Sequence, residues 1–302
     1  MIHVTSIDLI GVPIDYGAGR HGVRLGPDAV REANLQKNLE ALKLHVRDQG
    51  NVAVPQSEGD EPSGRGHANH LASVRAACSA TADAVERSLR DGAFPVVLGG
   101  DHSMAIGVLA GIARVKGPSG VIWIDAHADV NTPATSPTGN IHGMSMAVAL
   151  GYAADLFPPS VFPTPSVDAG RCAFVGLRDL DAGERAFLRE HGVLCFTMTD
   201  IDRLGMAKVM DQAIERAARG PSGAHVSVDI DSLDPALAPG TGTPVQGGLT
   251  YREAHLAMEL IAESGVANSL ELAEVNPILD EHNQTARVAM ELICSALGKS
   301  IL

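Results

Sequence analysis

Basic residues, cysteines and long apolar runs are all scarce in this sequence. It contains 23 Lys and Arg residues against 36 Asp and Glu residues, which gives a formal net charge of -13 at pH 7. A chain this acidic is a poor match for nucleic acid or for an anionic membrane surface. No apolar stretch approaches the roughly 18 residues that span a bilayer, so we expect neither a nucleic acid nor a membrane as partner.

The cysteines Cys78, Cys172, Cys195 and Cys294 are scattered, without the spacing of a metal site or a redox pair. Cys172 and Cys195 lie in apolar, strand-like runs, and we predict that both are buried thiols. Residues 1–13 have no basic start, and Asp8 interrupts their apolar run, so they lack the features of a signal peptide. These observations predict a cytoplasmic protein.

The chain is long enough to bury a large core, and its apolar runs predict the fold. It has 302 residues, 45% hydrophobic and 20% charged, and no stretch resembles a linker. Eight runs rich in Val, Ile and Leu are predicted as strands: residues 4–10, 45–48, 94–98, 120–124, 171–175, 193–197, 224–228 and 268–273. Most alternate with helical patterns. We therefore predict an α/β fold, a three-layer α/β/α sandwich with a mostly parallel sheet of about eight strands, in one domain over residues 1–302.

Two segments with helical periodicity and two breaker-rich segments complete this prediction. Residues 67–90 and the last helix each place an apolar stripe on one face. The stripes are Leu71, Val74, Cys78, Thr81, Val85 and Leu89 in the first, and Ala289, Leu292, Ile293 and Ala296 in the last. Residues 55–66 and 157–166 are predicted to be loops.

Polar side chains collect where the predicted strands end. They are Asp125, His127 and Asp129 after the fourth strand, Asp229 and Asp231 after the seventh, His102 after the third, Asp181 after the fifth and Glu274 after the eighth. The two-residue spacing within DAHAD and DID aims these side chains the same way in extended backbone. Because the carboxyl ends of parallel strands line the ligand crevice, we expect the active site at this edge of the sheet.

The combination of these residues favours a metal centre. Taken singly, an Asp-x-Asp pair after a strand is more often a turn or helix cap, and a lone histidine is more often structural. Four carboxylates in one crevice, however, would repel one another strongly unless cations lay among them. Carboxylates and imidazoles without thiolates suit Mn, Fe or Zn, and two ions fit six ligands better than one. The predicted ligands are His102, Asp125, His127, Asp129, Asp229 and Asp231.

Motifs along nearly the whole chain resemble the ureohydrolase superfamily and, within it, the arginase family. In order they are GGDHS, DAHADVNTP with TGNIHG, GLRDLD, SVDIDSLDP, GTGTP with GGLTYRE, and ELAEVNP. The resemblance implies an arginase-like fold and a hydrolase with two Mn²⁺ per subunit that converts L-arginine to L-ornithine and urea. A hydroxide shared by the two ions would attack the guanidinium carbon. It also implies a homo-oligomer, a trimer or a hexamer.

The resemblance assigns the metal ligands residue by residue. One manganese would be held by His102, Asp125, Asp129 and Asp229, and the other by Asp125, His127, Asp229 and Asp231. Asp125 and Asp229 would then bridge the two ions. Such bridging brings the ions close enough to share one water molecule and to lower its pKa towards neutrality.

Three residues are expected to act in catalysis. Glu274 would hold the planar guanidinium group opposite the metals, because a positioned carboxylate matches its fork of N–H donors. Asp129 would accept a proton from the hydroxide and deliver it to the departing amine. His142, after the turn TGN, resembles the proton shuttle of the family.

Further residues are predicted to bind the amino-acid end of the substrate. Asn131, Ser136 and Thr138 offer amide and hydroxyl groups to an α-carboxylate, and Asp181 can pair with an α-ammonium group. Thr243 is predicted to support the pocket beside the second metal motif, although a role as a turn residue fits almost as well.

Three alternatives remain open. An agmatinase or another guanidino-acid ureohydrolase would share the metal centre, but agmatine has no carboxylate for the polar groups described above. A two-metal phosphoesterase is disfavoured because the sequence has no P-loop and no basic cluster placed to clamp phosphate. A non-catalytic binding protein should lack some of the ligands, whereas all six candidates are present.

Overall fold

A single sheet forms the centre of the computed structural model, which describes residues 6–55 and 66–300. Its strands are β1 (Ser6–Val12), β2 (His45–Asn51), β3 (Phe94–Gly99), β4 (Ser119–Ile124), β5 (Val167–Leu177), β6 (Leu194–Thr197), β7 (Ala224–Asp229) and β8 (Ala267–Ala273). Their spatial order is β2-β1-β3-β8-β7-β4-β5-β6, and in the described residues each pairing of neighbours is parallel. The predicted set of eight strands is confirmed, although residues 4 and 5 of the first predicted strand lie outside the described residues.

Helices cover both faces of the sheet. They are α1 (Gly26–Glu32), α2 (Leu35–Ala41), α3 (Leu71–Arg90), α4 (Ala105–Lys116), α5 (Ser145–Ala149), α6 (Ala182–His191), α7 (Met198–Leu204), α8 (Met206–Ala217), α9 (Tyr251–Ser264) and α10 (Gln284–Ala296). On one face Trp123 of β4 shares an apolar cluster with Val74 of α3. Its neighbour Ile122 points to the other face and shares a second cluster with Val209 of α8. The predicted three-layer sandwich is confirmed.

The helical predictions hold, with one shifted boundary. Helix α3 begins at Leu71, four residues after the predicted start at residue 67, because His70 adopts a left-handed conformation with φ 51°. The middle of its apolar stripe, from Val74 to Val85, is buried as predicted, and so are all four predicted core residues of α10.

The predicted loops and thiols have mixed outcomes. Residues 157–166 contain no helix or strand, although Phe157 and Phe162 pack edge to face within the core. Of the predicted loop at 55–66, residues 56–65 lie outside the described residues. Cys172 is buried as predicted, but the prediction for Cys195 is wrong, because β6 is an edge strand and leaves this thiol half-buried. Among the described helices, none is both long enough and apolar enough to cross a membrane.

Candidate metal centre and active site

Four neighbouring strands, β3, β8, β7 and β4, bring their carboxyl ends together in the middle of the sheet. After β3 the chain passes close to Ile14, where a Cβ on Gly100 would lie 1.9 Å from the Ile14 carbonyl oxygen. Only glycine fits this approach. Asp101 then caps the short helix His102–Met104 by accepting a hydrogen bond from the Ser103 backbone N–H at 3.0 Å. These contacts fix the position from which the buried His102 side chain enters the site.

His102 forms the first group of candidate metal ligands with three carboxylates. Its Nδ1 lies 3.1 Å from Asp229 Oδ2, 3.3 Å from Asp125 Oδ2 and 3.4 Å from Asp129 Oδ2. Despite these neighbours, Nδ1 is buried without a hydrogen-bond partner of acceptable geometry. A buried nitrogen that faces carboxylate oxygens without hydrogen bonding to them suits a cation with nitrogen and oxygen ligands. The residues of this group therefore fit a metal ion.

His127 forms the second group with Asp231 and Asp125. Its Nδ1 lies 3.2 Å from Asp231 Oδ2 and 3.4 Å from Asp125 Oδ1. The Thr243 hydroxyl donates to Asp231 Oδ2 at 2.9 Å and so orients that carboxylate. The role predicted for Thr243 in the substrate pocket stays a prediction.

Asp125 belongs to both groups. Its Oδ1 faces His127 and accepts from the His127 backbone N–H at 2.7 Å, whereas Oδ2 faces His102 and accepts from Trp123 Nε1 at 3.0 Å. Two carboxylate oxygens directed at two different histidines is the arrangement required of a bridging ligand. Asp229 differs, because its Oδ2 faces His102 alone and its Oδ1 accepts from the Asp231 backbone N–H at 2.8 Å. The bridging roles of both residues stay predictions.

The crowding of carboxylates changes their affinity for protons. Burial and neighbouring carboxylates raise the pKa of Asp129 to about 6 and also raise the pKa values of Asp229 and Asp231. Burial acts in the same direction on Asp125, but the two histidines outweigh it and lower the pKa of that carboxyl. For His127, burial lowers the pKa, but the carboxylates of Asp231 and Asp125 outweigh it and leave the pKa raised. A cluster that attracts protons this strongly also attracts divalent cations, which would release those protons on binding.

Glu274 and His142 form a pair beside the metal ligands. Glu274 Oε1 accepts from the His102 backbone N–H at 2.9 Å and lies 3.0 Å from His142 Nδ1. Burial opposes ionisation of both groups, but their mutual attraction lowers the pKa of Glu274 and raises the pKa of His142 to about 9. Both Glu274 and Asp129 adopt left-handed backbone conformations, with φ 65° and 54°. Non-glycine residues are strained there, and such strain concentrates at functional sites.

Two adjoining cavities, of about 310 and 500 Å³, lie above these residues. Both are lined by His127, Asn140, His142, Asp179 and Thr243. The smaller one is also lined by Asn131, Ser136, Thr138 and Asp181, which are the residues predicted to bind the amino-acid end of a substrate. Glu274 lines the larger one. The structure thus brings the predicted substrate residues to one cleft.

Asp181 has a structural role as well as a place in the cleft. Its Oδ1 accepts from the Glu184 backbone N–H at 2.9 Å and caps α6, and its Oδ2 accepts from Asn131 Nδ2 at 2.7 Å. The predicted contact with an α-ammonium group would be a third interaction of this carboxylate, and it stays a prediction.

Comparison with known proteins decides the family, because the model of the Arginase family matches residues 5–298. The chain belongs to the arginase family. The arginase of Bacillus caldovelox is 46% identical over 296 residues, covering 98% of this chain and 99% of that relative, and the arginase of Brevibacillus brevis is 44% identical over 299 residues with the same coverage. The native structure of the Bacillus caldovelox arginase at pH 5.6 superposes with a TM-score of 0.95 at 45% identity, covering 99% of this chain and 100% of that one. The resemblance and the arginase-like fold are confirmed.

This arginase-family site contains residues that the sequence alone did not single out. Asn140 and Asp179 line both cavities, and Glu184 Oε1 accepts from the Asp129 backbone N–H at 2.9 Å. Burial and the neighbouring Asp129 raise the pKa of Glu184 to about 7. The spacing of Asp179 and Asp181 repeats the alternation of the metal motifs, and this pattern is a signal from which Asp179 could have been predicted. Glu184 closes a capping box with Asp181 at the start of α6, and the D-x-x-E spacing is a sequence signal of that contact but not of its place beside Asp129.

Proposed function

We propose that this chain hydrolyses L-arginine to L-ornithine and urea, with one divalent cation at each of the two ligand groups. The observation that carries the proposal is Asp125, whose two carboxylate oxygens face the two histidines at the floor of a polar cleft. The native metal is Mn²⁺, which oxygen and nitrogen ligands without sulfur accept well. When bound, the pair of cations supplies a water molecule of lowered pKa as nucleophile for the guanidinium carbon.

Glu274 orients the guanidinium group. Arginine side chains remain protonated at all relevant pH values, so a carboxylate opposite the metals fixes the planar fork by charge and by hydrogen bonds. The Oε1 atom of Glu274 is held by His102 and His142. Its Oε2 faces Gly242 at the wall of the larger cavity. A Cβ built on that glycine would lie 3.9 Å from Oε2. This oxygen is therefore directed to the substrate.

Asp129 and His142 move protons. The Asp129 carboxylate borders the smaller cavity and lies beside His102, so it is placed to take a proton from the attacking water and to pass it to the departing amine. His142 lines both cavities and is partly exposed, which places its ring between the buried site and solvent. A proton can leave through this ring after each turnover.

The other end of the cleft recognises the amino-acid group. The Ser136 hydroxyl accepts from the Gly139 backbone N–H at 2.9 Å, and the Thr138 hydroxyl accepts from the Asn140 backbone N–H at 3.2 Å. Each hydroxyl keeps its own proton to donate to a carboxylate. Asn131 offers an amide group beside them, and Asp181 offers a carboxylate to the α-ammonium group. A zwitterionic end uses all of these groups, so L-arginine is preferred to agmatine.

The direct test is urea release by the Mn²⁺-loaded protein from L-arginine, from agmatine and from other guanidino acids. L-Arginine should exceed agmatine by at least about 100-fold in kcat/KM, because several hydrogen bonds to a charged carboxylate depend on it. A higher kcat/KM for agmatine would make the enzyme an agmatinase. Hydrolysis of a phosphate ester without any urea release would instead support the phosphoesterase alternative.

Ser136→Ala tests the carboxylate contact. The variant should bind L-ornithine about 10- to 100-fold more weakly, because a hydrogen bond to a charged group contributes about 1.5–3 kcal/mol. Putrescine, the same amine chain without the carboxylate, should bind as before. The measurement is the competitive inhibition constant of each ligand. Equal weakening of both ligands would contradict a carboxylate-specific role for Ser136.

The remaining proposals concern the whole molecule. Residues 1–302 form one domain, as the single sheet built from β1 to β8 suggests. The protein is a homo-oligomer, a trimer or hexamer, in keeping with the resemblance to its family. It is cytoplasmic, in keeping with its four free cysteines. Light scattering on the purified protein tests the oligomeric state, and fractionation of the source cells tests the location.

A further inference from the structure

A row of buried polar residues lies behind the metal centre, within the apolar layer between the sheet and α3. His225 and Ser227 alternate on β7, and Ser269 and Glu271 alternate on β8. The parallel register places Ser227 opposite Glu271 and His225 opposite Ser269. All four side chains have no exposed surface. Strands buried on both faces are normally apolar throughout, so a carboxylate and a histidine at their centre are costly to bury and call for an explanation.

The row connects directly to the metal ligand His102. Its Nε2 lies 2.7 Å from the Ser227 hydroxyl, and that hydroxyl donates to Glu271 Oε1 at 2.7 Å. Beyond the carboxylate, His225 Nε2 lies 3.3 Å from the same Oε1, and His225 Nδ1 lies 2.9 Å from the Ser269 hydroxyl.

The direction of these hydrogen bonds determines the tautomer of His102. A hydroxyl has one proton, and Ser227 gives it to Glu271, so Ser227 must accept from Nε2–H of His102. With the proton on Nε2, the neutral ring has its lone pair on Nδ1. Nδ1 is the atom that faces the three carboxylates of the first ligand group. The ring plane is fixed as well, because it stacks on Trp123 with centroids 4.1 Å apart and planes at 10°.

We propose that Glu271, acting through Ser227, is a positioning residue that holds His102 in the orientation and tautomer that binds metal. The proposal rests on the two-metal function proposed above. Neither Glu271 nor Ser227 touches substrate, and their effect reaches the metal only through the imidazole of His102. His225 lies against the same carboxylate oxygen, with its Nε2 3.3 Å from Glu271 Oε1, and bounds the carboxylate on that side.

Within residues 6–55 and 66–300, the second metal site has no equivalent support. His127 Nε2 lies 3.8 Å from Asp179 Oδ2, and the Asp179 side chain is 66% exposed. A long contact to an exposed carboxylate constrains a ring far less than two short buried hydrogen bonds do. Loss of the buried row should therefore weaken the site that contains His102 and spare the site that contains His127.

Ser227→Ala and Glu271→Gln test this selectivity, with Ser119→Ala as the matched control. Ser119 lies on the neighbouring strand β4, is equally buried, and has a hydroxyl without a hydrogen-bond partner. Calorimetric titration of the metal-free proteins with Mn²⁺ should show two binding events in the wild type. In Ser227→Ala and Glu271→Gln one dissociation constant should rise about 10- to 100-fold, the range seen when the partner of a metal-bound histidine is removed. The other constant should change less than about threefold, and the control should match the wild type.

Electron paramagnetic resonance and thermal unfolding complete the test. At a Mn²⁺ concentration that fills both wild-type sites, the variants should lose the signal of the coupled ion pair and retain that of a single ion. Unchanged constants in Ser227→Ala would overturn the proposal. Equal weakening of both sites, together with a lower Tm of the metal-free protein, would also overturn it in favour of a general packing role. Should Glu271→Gln fail to fold, Ser227→Ala decides the question alone. A wild type that binds no Mn²⁺ would refute the two-metal function itself, which is a different result.

Discussion

Asp125→Asn is expected to weaken both metal sites at once and to reduce urea production by more than about 1,000-fold. The amide keeps the shape of the side chain and removes its charge from between the two histidines. Breaking a buried charge pair costs about 3–5 kcal/mol, so each Mn²⁺ dissociation constant should rise about 10²- to 10³-fold. Metal analysis after dialysis, calorimetric titration and the urea assay measure the three effects.

The control for this variant is Asp211→Asn, at an exposed position on α8. It removes the same charge from the protein and should leave metal content and turnover unchanged. Asp125→Asn with two tightly bound Mn²⁺ ions and full turnover would exclude a bridging role. Loss of one ion with retention of the other would show that Asp125 serves a single site.

The fold could be predicted because its signals are local and repeated. Strands buried on both faces require continuous apolar runs, and such runs alternate with helices only in a few arrangements. The spatial order of the strands has no comparable signal, since it depends on which helix packs on which face. Cys195 illustrates the same limit, because its sequence neighbourhood resembles that of a central strand whereas β6 lies at an edge.

The candidate ligands could be predicted as a group, but the sequence does not separate them from aspartates that only cap a helix. Asp229 directs one oxygen to the backbone of Asp231 and the other to His102, so it is a cap and a ligand candidate together. From the sequence, a cap and a metal ligand are alternative interpretations of an aspartate after a strand. Because a carboxylate has two oxygens, one residue can serve as both. Asp101 and Asp181 are caps that lie outside both groups of candidate ligands in the described structure. Only the geometry separates these cases, because all of these aspartates follow strands.

The residues behind the site escaped prediction because they are ordinary residue types in apparently ordinary strands. Ser227 and Glu271 lie within runs that satisfy the pattern of a strand, and nothing in a single strand shows which polar residue lies opposite which. The register between β7 and β8 supplies that information. A central strand should be apolar on both faces, so a polar residue at every second position is a sequence signal of a buried polar row.

Glu274→Gln is expected to leave both metal ions bound and to lower kcat/KM for L-arginine by about 10²-fold or more. The carboxylate is buried, carries its charge because His142 lies 3.0 Å away, and directs Oε2 into the cleft. The amide oxygen should take the position of Oε1, which accepts from the His102 backbone N–H, so the NH2 group would face the guanidinium donors and a charge-assisted pair would become a repulsive contact. Removal of one partner of a buried hydrogen-bonded charge pair costs about 2–5 kcal/mol. Steady-state kinetics with parallel Mn²⁺ analysis measure both parts of the prediction.

The distribution of this effect between KM and kcat identifies what Glu274 does. If the carboxylate only binds the guanidinium group, KM should rise while kcat stays constant, whereas loss of orientation relative to the nucleophile should also lower kcat. We expect both KM and kcat to change, because the same carboxylate attracts the positive charge of the guanidinium group and fixes the plane of that group. Glu281→Gln, at an exposed position in the same connection between β8 and α10, should match the wild type in both constants. Wild-type kinetics in Glu274→Gln would remove the guanidinium partner from the mechanism, and loss of Mn²⁺ in that variant would make Glu274 a support of the metal site instead.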